Sequence, residues 1–313
     1  MSWYTRHQFT FLCLDPVHVG AGGYRLGRVD NAIVREPGTN VPKIPGTSLS
    51  GASRSYAAML CGRQDAAGQH KDVKEKDAKK CPILYTFGTA VDRESQGQSK
   101  AGAVSFSDAQ ILFFPVSSAT HGPLWVTTEE RLRSNGIPWT GPKPDDNGKA
   151  VLLRPNPPQR INAGWLLLEA ASENGSITLP GGHSAWKDLN NRVLLMTERY
   201  FQIIVNSNLE VRTSVSINPK TGAAEEGLLF TYEAIPRGTW LTSDVVVDDY
   251  GNGFPKASEE KWTTENPAAK KWEKPIDVAS SGLRLIEYLG VGGMGTRGFG
   301  RMAVIQATEK KDS

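Results

Sequence analysis

The chain has 313 residues, 39% hydrophobic and 22% charged, with a formal net charge of +3, so it suits one large domain or two small ones and its charge alone names no partner. No apolar run approaches the roughly 18 residues of a membrane span, and no basic-then-apolar leader is visible, so neither membrane insertion nor export is expected. Cys13, Cys61 and Cys81 are an odd, sparse set that suits a reducing cytoplasm better than a disulfide scaffold.

In chain order, the alternation near 9–12 predicts a strand. A glycine loop follows, Pro16-Val17-His18-Val19-Gly20-Ala21-Gly22-Gly23, and Asn31-Ala32-Ile33-Val34 predicts a second strand. Pro42-Lys43-Ile44-Pro45-Gly46-Thr47-Ser48 turns into a helix over 49–60. Thr47 or Ser48 would be its N-cap, and Leu49, Ala52, Tyr56 and Met59 its apolar face. Residues 62–80 are polar and lysine-rich and read as an exposed insertion, and 93–101 as a loop. Strands are expected at 103–106 and 109–116, and a surface loop or linker at 138–158, where Pro, Gly, Asp and Asn abound. Residues 200–205, 211–217 and 227–234 read as strands, the last two joined by the turn Asn218-Pro219-Lys220-Thr221-Gly222. A third polar insertion covers 250–275, then a helix at 281–289 and a strand at 301–305. Many strands, few helices and long insertions predict an α+β fold rather than a doubly wound parallel sheet.

Residues 290–301 hold six glycines with Arg297 and Arg301. Missing Cβ atoms let successive N–H groups converge on an anion, and arginine adds charge-assisted phosphate contacts. Gly290-x-Gly292-x-x-Gly295 imitates a dinucleotide fingerprint, but here a helix precedes it and a strand follows. That order is inverted, and no room remains for a βαβ unit. The plainer alternative is a tight helix-to-strand turn without ligand. Charge is also local: Arg25, Arg28, Arg35, Lys43 and Arg54 face only Asp30 and Glu36, and Arg284, Arg297 and Arg301 face only Glu287 across 282–303. Basic glycine loops in a nearly neutral chain suggest contact with a polyanion.

These segments resemble the RAMP superfamily of CRISPR effector proteins, in particular the repeated backbone subunit of the type III-B (Cmr) RNA-targeting complex. The resemblance runs through Pro16–Gly22, Val29-Asp30 with Ile33-Val34-Arg35-Glu36, and Pro42–Leu49 with Gly51-Ala52 and Arg54. It continues through Phe87-Gly88, Phe106-Ser107-Asp108-Ala109, Phe114-Pro115-Val116, Leu124-Trp125-Val126-Thr127, Gly227-Leu228-Leu229-Phe230 with Glu233 and Pro236, and the terminal glycine loop. Each motif is weak alone; their order and spacing make the match. Ser50 departs from the lysine usual before Gly51.

The resemblance implies a single domain over 1–313 with a modified RRM-like (ferredoxin-like) core and a projecting β-hairpin thumb around 206–235. In that thumb Leu209, Val211, Val215 and Ile217 would wedge against bases, although such alternation also describes a half-buried strand. It further implies CRISPR guide RNA and complementary target RNA as partners, self-association into a helical filament, other Cmr-type subunits, no membrane, a cytoplasmic location, and target-RNA cleavage at regular intervals. Asp30 matches the cutting aspartate and would hold a divalent Mg or Mn ion, which polarises a phosphoryl oxygen. From the residues alone, an Asp before Asn at a strand start is a turn or cap. His18 is a second catalytic candidate through proton transfer, or else a partner for loop backbone or RNA. Glu226 and Glu233 match an acidic neighbourhood in relatives. Gly20, Gly22, Arg28, Lys43, Ser48, Arg54, Gly292, Gly295, Thr296, Arg297 and Gly298 would hold RNA phosphates; otherwise they are turn glycines and solvated polar side chains. Cys61, His70 and Cys81 offer three zinc ligands where structural zinc takes four, so ordinary thiols are the plainer reading. A non-catalytic guide-binding subunit and a histidine-based guide-processing nuclease remain as alternatives, the latter against five unclustered histidines.

Overall fold

Phe9, Phe11 and Cys13 alternate along Thr5–Cys13 (β1) and all three are buried, as the period of two requires. The computed structural model describes residues 4–22, 29–68, 80–89, 100–217, 219–249, 253–255 and 266–310, with backbone alone for 216 and 224–229. In chain order the elements that matter to the site are β1, Gly46–Leu60 (α1), Ala109–Ser118 (β2), Gly122–Thr127 (β3), Glu198–Ser207 (α2), Glu210–Ile217 (β4), Ala224–Ala234 (β5), Trp240–Val247 (β6), Pro275–Leu289 (α3) and Met302–Lys310 (β7).

The main sheet runs β7-β1-β6-β2-β3 and continues through Val193–Leu195, Lys149–Leu152, Leu166–Ala170 and Arg160–Ala163. The first five strands are antiparallel throughout, and parallel pairs enter only beyond β3. β4 and β5 stand apart as an antiparallel two-stranded ribbon, with Glu210 opposite Ala234 and Thr213 opposite Thr231. The fold is therefore mixed α+β.

α1 and α3 share one face of the sheet. Phe9, Phe11, Leu49, Ile276, Ala279, Leu283 and Ile286 form its core, each large apolar side chain contributing on the order of 2 kcal/mol by burial. The helices cross in backbone contact: a Cβ on Gly282 would stand 2.0 Å from the Ser53 carbonyl oxygen, and Ser53 Oγ donates to Ala279 O at 2.8 Å. On the opposite face Trp186 stacks on Trp240 at 4.4 Å, covering part of β2 and β6.

Several elements depart from expectation. Residues 200–205 lie in a helix, α2, because Phe201, Ile204 and Val205 recur at i, i+3 and i+4 and are buried together, outweighing the strand preference of the β-branched run. The 138–158 stretch is not all surface loop: Ala150, Val151 and Leu152 are buried in a sheet strand. Residues 31–34 form isolated bridges, Gly20 to Ile33 and Asn31 to Tyr232, rather than a strand. α1 begins at Gly46, and neither Thr47 nor Ser48 caps it. The Gly46 N–H instead donates to Asp108 Oδ1 at 2.8 Å, and Met59 is 54% exposed while Ala57 and Ala58 are buried. α3 begins at Pro275, where Asp277 Oδ2 accepts the N–H groups of Glu273 and Lys274. Most of 93–101 and much of 62–80 and 250–275 lie outside the described residues. No helix among the described residues is long and apolar enough to cross a membrane.

Candidate nucleic-acid interface

β1 and β7 are antiparallel neighbours with Cys13 opposite Met302, so the chain leaving β1 and the chain entering β7 emerge at the same end of the sheet. This brings the two glycine loops together from opposite ends of the sequence. The Gly293 N–H donates to His18 O at 2.9 Å, and the Gly300 N–H to Pro16 O at 2.8 Å. At Gly292 φ is +85°, and a Cβ would approach His18 O to 2.3 Å, so only glycine allows this contact.

Four consecutive residues of β5 hold the pieces of the site. The Arg297 guanidinium lies 5.9 Å from the Phe230 ring, and its Nη1 donates to Ser214 Oγ at 3.3 Å. Thr231 binds Asp30: its N–H and its hydroxyl both donate to Asp30 Oδ2, at 2.7 and 2.9 Å, and Asp30 N donates back to Thr231 Oγ1 at 3.1 Å. Tyr232 packs edge-on against Phe299 at 5.4 Å. Glu233 pairs with Arg35 at 2.7 Å and accepts the Ile33 N–H at 3.4 Å, while its carbonyl takes His18 Nδ1 at 2.6 Å. Alternation along β5 places Thr231 and Glu233 on one face and Phe230 and Tyr232 on the other.

Asp30 is exposed, and the Thr231 N–H followed by the Thr231 hydroxyl hold its carboxyl below the usual carboxylate range. It is therefore an anion at neutral pH. His18 is buried, and because its partner is a carbonyl, Nδ1 carries the proton. That bond and the Gly293 contact make His18 the pin that fastens both glycine loops to β5. The Arg35–Glu233 pair is almost closed to solvent, at 15% and 10% exposure, and Arg35 also bonds Asn206 Oδ1 and Asn40 O, so the segment after Asp30 is clamped to the ribbon.

The expected phosphate contacts divide into two groups. Gly20, Gly22, Gly292, Gly295, Thr296, Arg297 and Gly298 are exposed on the joined loops, and Ser48 lines a groove of about 390 Å³ together with Gly51, Gly292 and Gly295. Lys43 and Arg54 are otherwise engaged. Lys43 Nζ lies 2.6 Å from Asp108 and 2.8 Å from Glu36, which raise its pKa in that order. Arg54 donates to the carbonyls of Ala66 and Gly68, and burial lowers its pKa. Arg28 and His70 lie outside the described residues, as does the side chain of Glu226. Cys61 and Cys81 are buried in one apolar cluster. Leu209 packs against the core, whereas Val211, Val215 and Ile217 are exposed along β4.

No three His, Cys, Asp or Glu side chains gather for a metal ion among the described residues. Asp30 is a hard, ionised oxygen donor, which suits a magnesium-type ion whose shell is completed by water and substrate phosphate. The sheet face opposite α1 and α3 presents Gln8, Thr10, Gln306 and Thr308 to one cavity. These side chains are polar and not aromatic, and Trp186, which lines the same cavity, is buried against Trp240. Thr231 escaped the sequence reading, and Arg35 entered it only through a motif and the local charge; the signal for Thr231 was the β5 face it shares with Glu233.

A curated relative from Pyrococcus furiosus, the CRISPR system Cmr endoribonuclease Cmr4, is 28% identical over 251 residues, covering 75% of this chain and 79% of its own. The CRISPR system Cms endoribonuclease Csm3 of Methanothermobacter thermautotrophicus is 35% identical over 86 residues, 27% of this chain and 33% of its own. Among solved structures, a chain of the apo type III-B Cmr-beta cryo-EM structure has a TM-score of 0.63 at 18% identity, covering 98% of both chains. A chain of oligomeric Cmr4 from Pyrococcus furiosus has a TM-score of 0.56 at 19% identity, covering 98% of this chain and 100% of that one. These structures share the fold. The family model described as the RAMP superfamily matches residues 10–303, nearly the full length, and the chain belongs to the RAMP superfamily.

Proposed function

We propose that this protein is a CRISPR RNA-binding backbone subunit of a type III-B effector complex and an endoribonuclease that cuts complementary target RNA at regular intervals through Asp30. The observation that carries the reading is the convergence on β5: an exposed, ionised Asp30 shares four residues of one strand with the joined glycine loops and Arg297. The Cmr4 and Csm3 names of the curated relatives support the activity, and support guide RNA, target RNA, further copies of itself and other Cmr-type subunits as partners.

In this reading β1-α1-β2 and β6-α3-β7 form an RRM-like core, since the spatial order β7-β1-β6-β2 is that of a ferredoxin-like βαββαβ unit. The whole chain is then one RAMP domain with insertions, and the β4–β5 ribbon is its thumb, with exposed Val211, Val215 and Ile217 set against bases. Gly20, Gly22, Gly292, Gly295, Thr296 and Gly298 bring backbone N–H groups to guide phosphates, and Arg297 adds charge. Ser48 closes the groove side of that track.

RNA carries its own nucleophile, the 2′-OH beside each phosphorus, so the protein's task is to hold the linkage in line and to place charge. Asp30 Oδ2 is fixed by Thr231, which leaves Oδ1 to orient the reacting group. Asp30 would also hold a Mg or Mn ion together with phosphate oxygens, and such an ion supplies Lewis-acid stabilisation of developing phosphoryl charge. His18 acts as a positioning residue: Nδ1 is spent on Glu233, and the ring is buried.

The test is an assembled complex carrying Asp30→Ala with matched target RNA. Loss of regularly spaced cutting by about 100-fold or more, with target binding retained, is expected. Regular cutting at the wild-type rate overturns the assignment and leaves a structural guide-binding role.

A further inference from the structure

We infer that Thr231 is a positioning residue for the cutting reaction: its paired backbone and hydroxyl bonds set the Asp30 carboxylate in the orientation that cleavage uses. The inference rests on the reading of Asp30 as the cutting residue.

Residues 30–31 join β5 as a short parallel addition. The Asn31 N–H donates to Thr231 O at 3.0 Å, and the Glu233 N–H donates to Asn31 O at 3.1 Å. Continued by backbone alone, that ladder would give the Thr231 N–H a carbonyl acceptor. Asp30 Oδ2 occupies that place instead, at 2.7 Å. The carboxylate thus stands at a position fixed by strand geometry rather than by its own rotamer. The Thr231 hydroxyl completes the hold by working in both directions, donating to Oδ2 at 2.9 Å and accepting the Asp30 N–H at 3.1 Å. Only serine or threonine can do both there at this size.

A turn cap alone would need one of these contacts. Three bonds between two residues, made by an exposed carboxylate, fix a direction. They leave Oδ1 outside the hold. An exposed carboxylate without them would rotate freely among its rotamers, and a displacement near 1 Å costs about 100-fold in a reaction that depends on alignment. Threonine adds a β-branched side chain with restricted χ1, so the hydroxyl itself is held.

The experiment compares assembled complexes carrying Thr231→Val, Thr231→Ala, Thr231→Ser and Asp30→Asn. Target-RNA affinity and single-turnover cutting at saturating target are read for each. Thr231→Val and Thr231→Ala keep the backbone bond and lose the hydroxyl; each is expected to bind target within about twofold of wild type and to cut about 10- to 100-fold more slowly. Thr231→Ser restores cutting, and Asp30→Asn does not cut. If Asp30→Asn is inactive while Thr231→Val and Thr231→Ala cut at the wild-type rate, the inference about Thr231 falls and the Asp30 reading stands. If Asp30→Asn cuts normally, that reading falls first. Should both hydroxyl-deleted variants lose target binding in step with cutting, Thr231 is a structural cap and the inference is overturned.

Discussion

Arg297 of the terminal glycine loop and the cations between residues 35 and 54 look alike in sequence but stand in opposite electrostatic states. Arg297 rests over Phe230, bonds a serine hydroxyl, and has no carboxylate partner among the described residues, so its charge is free to face an anion. Lys43 is held between Asp108 and Glu36, Arg35 is closed against Glu233, and Arg54 is spent on backbone carbonyls. A cation is open to a phosphate only where folding leaves it without an acid or a carbonyl to bind. Arg297 meets that condition on the joined-loop side, and Lys43, Arg35 and Arg54 do not.

The largest break in this contrast comes from Gly292→Ala. A Cβ there meets the His18 carbonyl oxygen at 2.3 Å with φ at +85°, so the loops must part, at a cost of about 2–3 kcal/mol. Denaturant unfolding should register that loss, and guide-RNA affinity should fall with it. A variant with wild-type stability and wild-type RNA binding would deny that the loop junction matters.

Next in size is the pairwise comparison of Arg297→Ala with Lys43→Ala. Removing Arg297 should lower the slope of log affinity against log salt by about 0.7, the share of one phosphate contact on single-stranded RNA. Removing Lys43 should leave that slope unchanged and cost on the order of 1 kcal/mol of stability, through Asp108 and Glu36 losing their partner. Interchanged results would reverse the two regions.

The smallest effect concerns Arg301, which belongs to the glycine stretch yet pairs with Asp15. The hydrogen bond from Arg301 holds the Asp15 carboxyl below the usual carboxylate range. A depressed carboxyl contributes stability in full above its ordinary pKa and loses it as pH falls through the lower folded value. Asp15→Asn should therefore flatten the acid limb of the stability profile slightly and leave neutral pH unchanged in slope. An effect confined to alkaline pH would contradict the pairing.

Much of the fold was legible because short apolar runs bounded by turn residues mark its strands. β1, β2 and the β4–β5 hairpin follow from such runs and a turn, and the helix-then-strand ending excludes a dinucleotide site from sequence alone. The errors have local physical causes. In α2 the same apolar residues satisfy a helical and a strand pattern, and burial decided between them. Around 150–153 a polar, Pro- and Gly-rich flank concealed a core strand. At the site, the meeting of the glycine loops follows from β1 pairing with β7, which no local pattern states. Thr231 was not legible, because its partner lies about 200 residues away in sequence. The closed state of Lys43 is hidden in the same way, through Asp108.

A photo-crosslinking side chain placed at Thr296, on the joined glycine loops, or at Thr308, on the open face of the sheet, reads which surface meets guide RNA in assembled complexes. Crosslinks to the guide from position 296 and none from position 308 are expected. Crosslinks from 308 with silence at 296 would move the RNA to the sheet face and leave the joined loops without a ligand.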